Sequence, residues 1–166
     1  MQRFRAVPCF GTIIRSVKKI DHVDGMTIEE SDHMLATRLY KNTAKVHFNQ
    51  DIEKDGRFGC RIVFGGHIIS LPRAFSFNGL ANAFSIVVIN AGIHVAPTFA
   101  GDTIYAWREV LSKFYIAGRD DLVAQRLRTV ASKDQCCAAF PGKGKDEKYT
   151  NSVVLDFDCT VLMPKR

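Results

Sequence analysis

From Ala74 to Val88 the chain carries Ala74, Phe75, Phe77, Leu80, Ala81, Phe84, Ile86, Val87 and Val88, apolar on almost every side of a helix. A helix without a polar face has to be enclosed by protein. Ser70 is placed to cap it, Pro72 falls in its first turn, and Asn90 to Gly92 supplies a C-terminal cap. Asn78, Asn82 and Ser85, at i, i+4 and i+7, draw one narrow polar stripe along it. Pro72 argues against a regular helix opening as early as Gly66, because proline cannot donate within a helix and crowds the preceding turn.

What encloses the helix has to come from the rest of the 166 residues, and most of the rest reads as strand. Residues 1–10 form an arm without a clear period, and from Gly11 the β-branched Thr12, Ile13, Ile14 and Val17 suggest an early strand. Thr27 and Glu30 have the spacing of a capping box, which predicts a helix starting there, with Met34, Leu35 and Leu39 as its apolar stripe and an end near Tyr40. Residues 41–61 are polar and irregular. Thr103–Ile116 and Leu122–Ser132 are long strand candidates. In Ser152–Met163, Val153, Leu155, Phe157, Cys159, Val161 and Met163 alternate with Asp156, Asp158 and Thr160, so one face is predicted buried and the other wet. A bent antiparallel sheet wrapped around one apolar helix, an α+β domain over residues 11–166, satisfies both requirements.

Composition narrows the function classes. Hydrophobic residues make up 46% of the chain and charged residues 24%, as in an ordinary globular domain. The longest apolar run is broken by Asn78, Gly79, Asn82 and Ser85, and Arg15, Lys18 and Lys19 leave no room for a secretory h-region, so a cytoplasmic protein is expected. Cys9, Cys60, Cys136, Cys137 and Cys159 lack metal-site spacing, and vicinal Cys136 and Cys137 bridge poorly, which leaves reduced, structural thiols. The net charge of +6 admits nucleic acid, an anionic surface or a phosphate-rich ligand. Its cations are scattered and follow no nucleic-acid-binding motif, so neither nucleic acid nor membrane is expected as a partner.

Three stretches, IDHVDGMTIEESDHMLATRLYKNTAKVHF (Ile20 to Phe48), FGGHIISLPRAFSFNGLANAF (Phe64 to Phe84) and APTFAGDTIYAWREVL (Ala96 to Leu111), resemble the MaoC-like hot-dog hydratases. Within that family they are most similar to the second half of the mesaconyl-CoA hydratases, whose members contain two hot-dog halves. The resemblance implies a hot-dog fold and a hydro-lyase acting on a coenzyme A thioester, without metal or other cofactor. It also implies pairing, either of two copies or with a second hot-dog chain. In one branch of the family an Asp precedes a catalytic His by five residues after the first helix. Here that His position is His47 and the Asp position holds Asn42, an amide that can orient water but cannot take its proton.

The family's oxyanion-binding glycine falls on Gly66, beside Gly65 and ahead of His67, which is a further candidate for substrate contact. A glycine N–H suits that task because a thioester carbonyl gains negative charge as its neighbouring carbon loses a proton. His22, His33 and His94 are read as structural. Three functions remain open: enoyl-CoA hydration, with mesaconyl-CoA and β-methylmalyl-CoA the implied pair; a non-catalytic acyl-CoA-binding half that completes a site with a partner; and a hot-dog thioesterase using Asp51, Glu53 or Asp55.

Overall fold

The computed structural model describes Lys19–Lys165, so the expected arm and early strand over residues 1–17 lie outside the described residues. Two short strands come first, β1 (Lys19–Asp21) and β2 (Met26–Thr27). They are followed by α1 (Glu30–Leu39), a 3-10 turn at Lys45–His47, and one-turn α2 (Gln50–Glu53). Next are α3 (Gly65–Phe75), short α4 (Phe77–Leu80) and the strands β3 (Ser85–His94), β4 (Thr103–Tyr115), β5 (Leu122–Lys133) and β6 (Val153–Pro164). All six strands form one antiparallel sheet in the order β1-β4-β5-β6-β3, with β2 also on β4. Register shifts within β3 and at Val110/Ser112 of β4 mark irregularities of the bulge kind, which bend strands.

The three long strands anticipated in the second half are present as β4, β5 and β6. β6 buries Val153, Leu155, Phe157, Cys159, Val161 and Met163. Its opposite face is paired rather than simply wet: Asp156 and Asp158 each take a two-toothed grip from Arg128 and Arg126 of β5, with bonds of 2.6–3.0 Å. Ile68 and Leu71 of α3 enter a core with Ile104 and Val110 of β4, Val123 and Leu127 of β5, and Leu155 and Met163 of β6. A smaller cluster joins Trp107, Val130, Cys137 and Val153, and the Trp107 indole donates to the Pro141 carbonyl at 2.7 Å.

The helices correct four expectations. Thr27 caps nothing: it belongs to β2, its hydroxyl meets that of Thr103 at 2.8 Å, and α1 starts at Glu30 with no side-chain cap. The buried face of α1 is His33, Ala36 and Thr37, whereas Leu35 and Leu39 are exposed. The central helix begins at Gly65, not near Ser70, and runs through Pro72. Pro72 lies past the first turn, so it forfeits the bond to the Ile68 carbonyl and crowds the turn before it. The helix also stops at Phe75, and after α4 the β-branched run Ile86–Ile89 forms the edge strand β3 in place of further helix. Asn82, Ser85 and Asn90–Gly92 are therefore neither a helix stripe nor a cap.

The described cysteines Cys60, Cys136, Cys137 and Cys159 are free thiols. Burial pushes Cys137 and Cys159 each up to about 11, so both stay protonated and inert. No helix among the described residues is long and apolar enough to cross a membrane.

Candidate functional site

His47 ends the 3-10 turn and is held from two sides. Val46 accepts the Ile62 N–H at 3.1 Å, and the His47 Nδ1 lies 2.9 Å from the Ile62 carbonyl. A carbonyl only accepts, so Nδ1 carries the proton and Nε2 keeps its lone pair, the tautomer a general base needs. The imidazole stands edge-on to Phe64 at 5.8 Å between ring centres, and Phe64 in turn touches Tyr40. The loop bearing His47 is tied to α1 through Arg61, which pairs with Glu30 and donates to the Phe48 carbonyl.

The cleft that His47 lines, of about 420 Å³, runs between residues 62–65 and residues 94–98 and includes Gly65, Ile68 and His94. These walls are joined by the Val63 N–H donating to the Thr98 carbonyl at 2.9 Å. Gly65 and Gly66 are the first two residues of α3, and the first helical N–H bond behind them is that of His67 to Phe64. Their N–H groups therefore point out of the helix start, where the macrodipole favours negative charge. Gly65 lets His94 come close: a Cβ there would sit 2.7 Å from His94 Nε2, and the ring would have to shift. His94, read as structural from the sequence, is thus a second imidazole in the cleft, held below the ordinary histidine range by burial. A glycine opening a helix is a visible signal for close approach, but what approaches it is set by a strand that the sequence reading made helix.

The other expected residues are dispersed. Gly66 opens onto a second cavity, of about 200 Å³, between α3 and the sheet, and a Cβ there would meet the Phe64 ring. Asn42 lies in a groove with Met34, Thr37, Arg38, Lys41, Thr43 and Phe48. Its Oδ1 accepts the Ala44 N–H at 2.8 Å, an Asx turn leading into the turn that carries His47. His67 faces Asp32 and His33 of α1, and its net shift is downward through burial, partly offset by the Asp32 charge. His33 is fully buried, 3.5 Å from Glu30, and is lowered first by burial and then by the charge of His47. Asp51, of the thioesterase reading, is exposed and paired with Lys54. No cluster of histidine, cysteine or carboxylate able to hold a metal occurs among the described residues.

No protein-family model matches the chain. It is 64% identical over 149 residues to the β-methylmalyl-CoA dehydratase of Chloroflexus aurantiacus and 54% identical over 148 residues to the mesaconyl-CoA hydratase of Cereibacter sphaeroides. These stretches take up 90% and 89% of the chain but 42% of each relative, so it spans less than half the length of the curated proteins it matches. Among solved structures, a MaoC domain dehydratase of Chloroflexus aurantiacus superposes with a TM-score of 0.91 at 61% identity, covering 95% of this chain and 45% of that one. A double hot-dog protein of Mycobacterium tuberculosis superposes with a TM-score of 0.69 over 95% of this chain and 44% of its own; at 15% identity it speaks for the fold alone.

A curved antiparallel sheet holding one apolar helix, with these neighbours, defines a hot-dog domain. More narrowly, over nine-tenths of its length the chain is similar to part of MaoC-like proteins named as hydratase or dehydratase of mesaconyl-CoA and β-methylmalyl-CoA.

Proposed function

We propose that this domain carries the acid/base chemistry of a hydro-lyase that interconverts an enoyl-CoA thioester and its β-hydroxyacyl-CoA, with mesaconyl-CoA and β-methylmalyl-CoA as the pair. The observation that carries this is His47, whose Nδ1–H is committed to Ile62 and whose Nε2 is left to take a proton, on a cleft that reaches the glycine start of α3. In the hydration direction Nε2 removes a proton from water, and the hydroxide oxygen bonds to the β-carbon. The π electrons move to give an enolate at the thioester oxygen. N–H groups at Gly65 and Gly66 stabilise that oxygen, and the imidazolium returns its proton to the α-carbon. Water is consumed and no redox partner or cofactor enters. His67 is kept as a positioning residue through α1, and Asn42 as the residue that sets the turn into His47. Arg38 and Lys41, exposed on the Asn42 groove, suit the phosphates of coenzyme A. Reduced thiols accord with a cytoplasmic location.

A second reading has a specific observation in its favour. β3 is a ten-residue edge strand with Ile86, Val87, Val88, Ile89 and Ile93 all exposed, a surface that a monomer rarely leaves in water. With the chain covering 42% of its relatives, this edge suits a second hot-dog unit, either another copy or a separate chain. The same experiment separates the readings: enoyl-thioester absorbance is followed with mesaconyl-CoA, and free thiol is titrated in parallel. Absorbance loss without thiol supports the hydratase, thiol release supports a thioesterase, and activity only after adding a second hot-dog chain supports the split enzyme.

A further inference from the structure

The cavity between α3 and the sheet is apolar along β5 and β6, where Leu127, Leu155, Phe157 and Val161 line it, yet Arg73 stands in its wall. Arg73 is its one charged lining residue among the described residues, and no carboxylate there pairs with it. One guanidinium nitrogen donates to the Ala83 carbonyl at 2.8 Å. A guanidinium has five N–H donors, so most of the fork is left for something else. Arg73 is half-buried, and a guanidinium set beside leucine, phenylalanine and valine is better matched when an anion joins it.

We propose that Arg73 binds the distal carboxylate of a short dicarboxylic acyl group and so selects it over uncharged acyl chains. This rests on the enoyl-CoA hydratase reading and deepens it. Gly66, Ile69, Ser70 and Arg73 line the cavity from one face of α3, with the oxyanion-side glycine at one end and the arginine at the other. Two helical turns separate Gly66 from Arg73, about 10 Å along the axis. A four-carbon trans chain spans about 4 Å between its end carbons, as the four atoms of a trans peptide unit do. The two terminal oxygens, a hydrogen bond of about 2.9 Å at each end and the arginine side chain itself cover the rest of the span. A carbonyl held at Gly66 thus puts a carboxylate on the fourth carbon within reach of Arg73, whereas a monoacid of the same length leaves the guanidinium without its anion. The charge of Arg73 also reaches Cys159 in the opposite wall, where it opposes the upward push of burial on that thiol.

Binding, rather than turnover, tests this. Titration calorimetry compares 2-methylsuccinyl-CoA, saturated and unreactive to hydration, with 2-methylbutyryl-CoA, which has a methyl group where the other has its carboxylate. The wild-type chain is expected to prefer the acid. Arg73→Gln is expected to weaken acid binding by roughly ten- to a hundredfold, as for a lost hydrogen bond to a charged group, and to leave the methyl analogue within about threefold. Arg73→Lys, which keeps the charge and a donor for Ala83 but not the fork, is expected to fall between and serves if the glutamine variant does not fold. Equal weakening of both ligands, no preference in the wild type, or binding of neither overturns the assignment. Absence of hydration with the acid preference intact overturns the hydratase reading and leaves Arg73 standing.

Discussion

Acidification is expected to destabilise this fold through His22, and the size of the effect follows from its surroundings. The residue is 8% exposed, and burial, then the charge of Arg108, bring its imidazole from 6.5 down to about 4. Ser76 Oγ donates to the Pro72 carbonyl at 2.6 Å, so at 3.2 Å it accepts from His22 Nε2–H, and an added proton would have to go on Nδ1. The folded state therefore prefers the neutral ring, while the unfolded chain titrates normally. A histidine lowered on folding contributes stability that is complete above its unfolded pKa and is lost as pH falls toward the folded one. Between 6.5 and about 4, at 1.36 kcal/mol per pH unit, the loss is about 3 kcal/mol. That is a large part of a small domain's total stability. Urea unfolding from pH 7 to pH 4 measures it, with His22→Gln as reference, since the amide can donate to Ser76 but does not titrate. The wild type is expected to lose about 3 kcal/mol more than the variant over that range. Parallel pH dependences in the two proteins would refute the reasoning, because His33, His67 and His94 titrate in both.

Gly65→Ala puts a methyl group against His94, whose ring, at the end of a rotatable side chain, gives way; hydration is expected to slow while circular dichroism stays native, and unchanged turnover would remove His94 and its contact from the site. Asn42→Ala deletes the bond to the Ala44 N–H and is expected to cost about 1 kcal/mol in denaturant unfolding, with a smaller loss of activity than any change at His47. Ile89→Lys puts a charge on the exposed edge strand and is expected to shift light scattering toward the monomer; an assembly of unchanged mass would mean that β3 is not the contact.

The second half of this fold is legible in its sequence because β4 and β5 are long strand-like runs, alternation in β6 reports one buried face, and the sheet is made by neighbours in sequence. β3 is not legible in that way. Ile86–Ile89 is apolar and exposed at every position, so it has no period to distinguish strand from buried helix. Pro72 misled because the lost bond and the crowding of the preceding turn that proline brings are local costs, which the packing of α3 on β4, β5 and β6 outweighs. The capping-box spacing at Thr27 was overridden by pairing of β2 with β4, an interaction 76 residues away. In the candidate site, His47 and Gly65 line one cleft, and His47 and the paired glycines were named through the family resemblance. His94 was not, since its place opposite Gly65 depends on the missed strand, and Arg73 gave no signal until the cavity beside it was formed.

The hydratase account stands or falls on the initial rate of mesaconyl-CoA hydration by His47→Ala beside the wild type, measured by loss of enoyl-thioester absorbance in whatever assembly the wild type needs for activity. The account predicts a fall on the order of 10²–10⁴-fold, as for loss of a general acid/base, with the fold retained. Turnover at the wild-type rate in the folded variant would contradict it and move the chemistry off this domain.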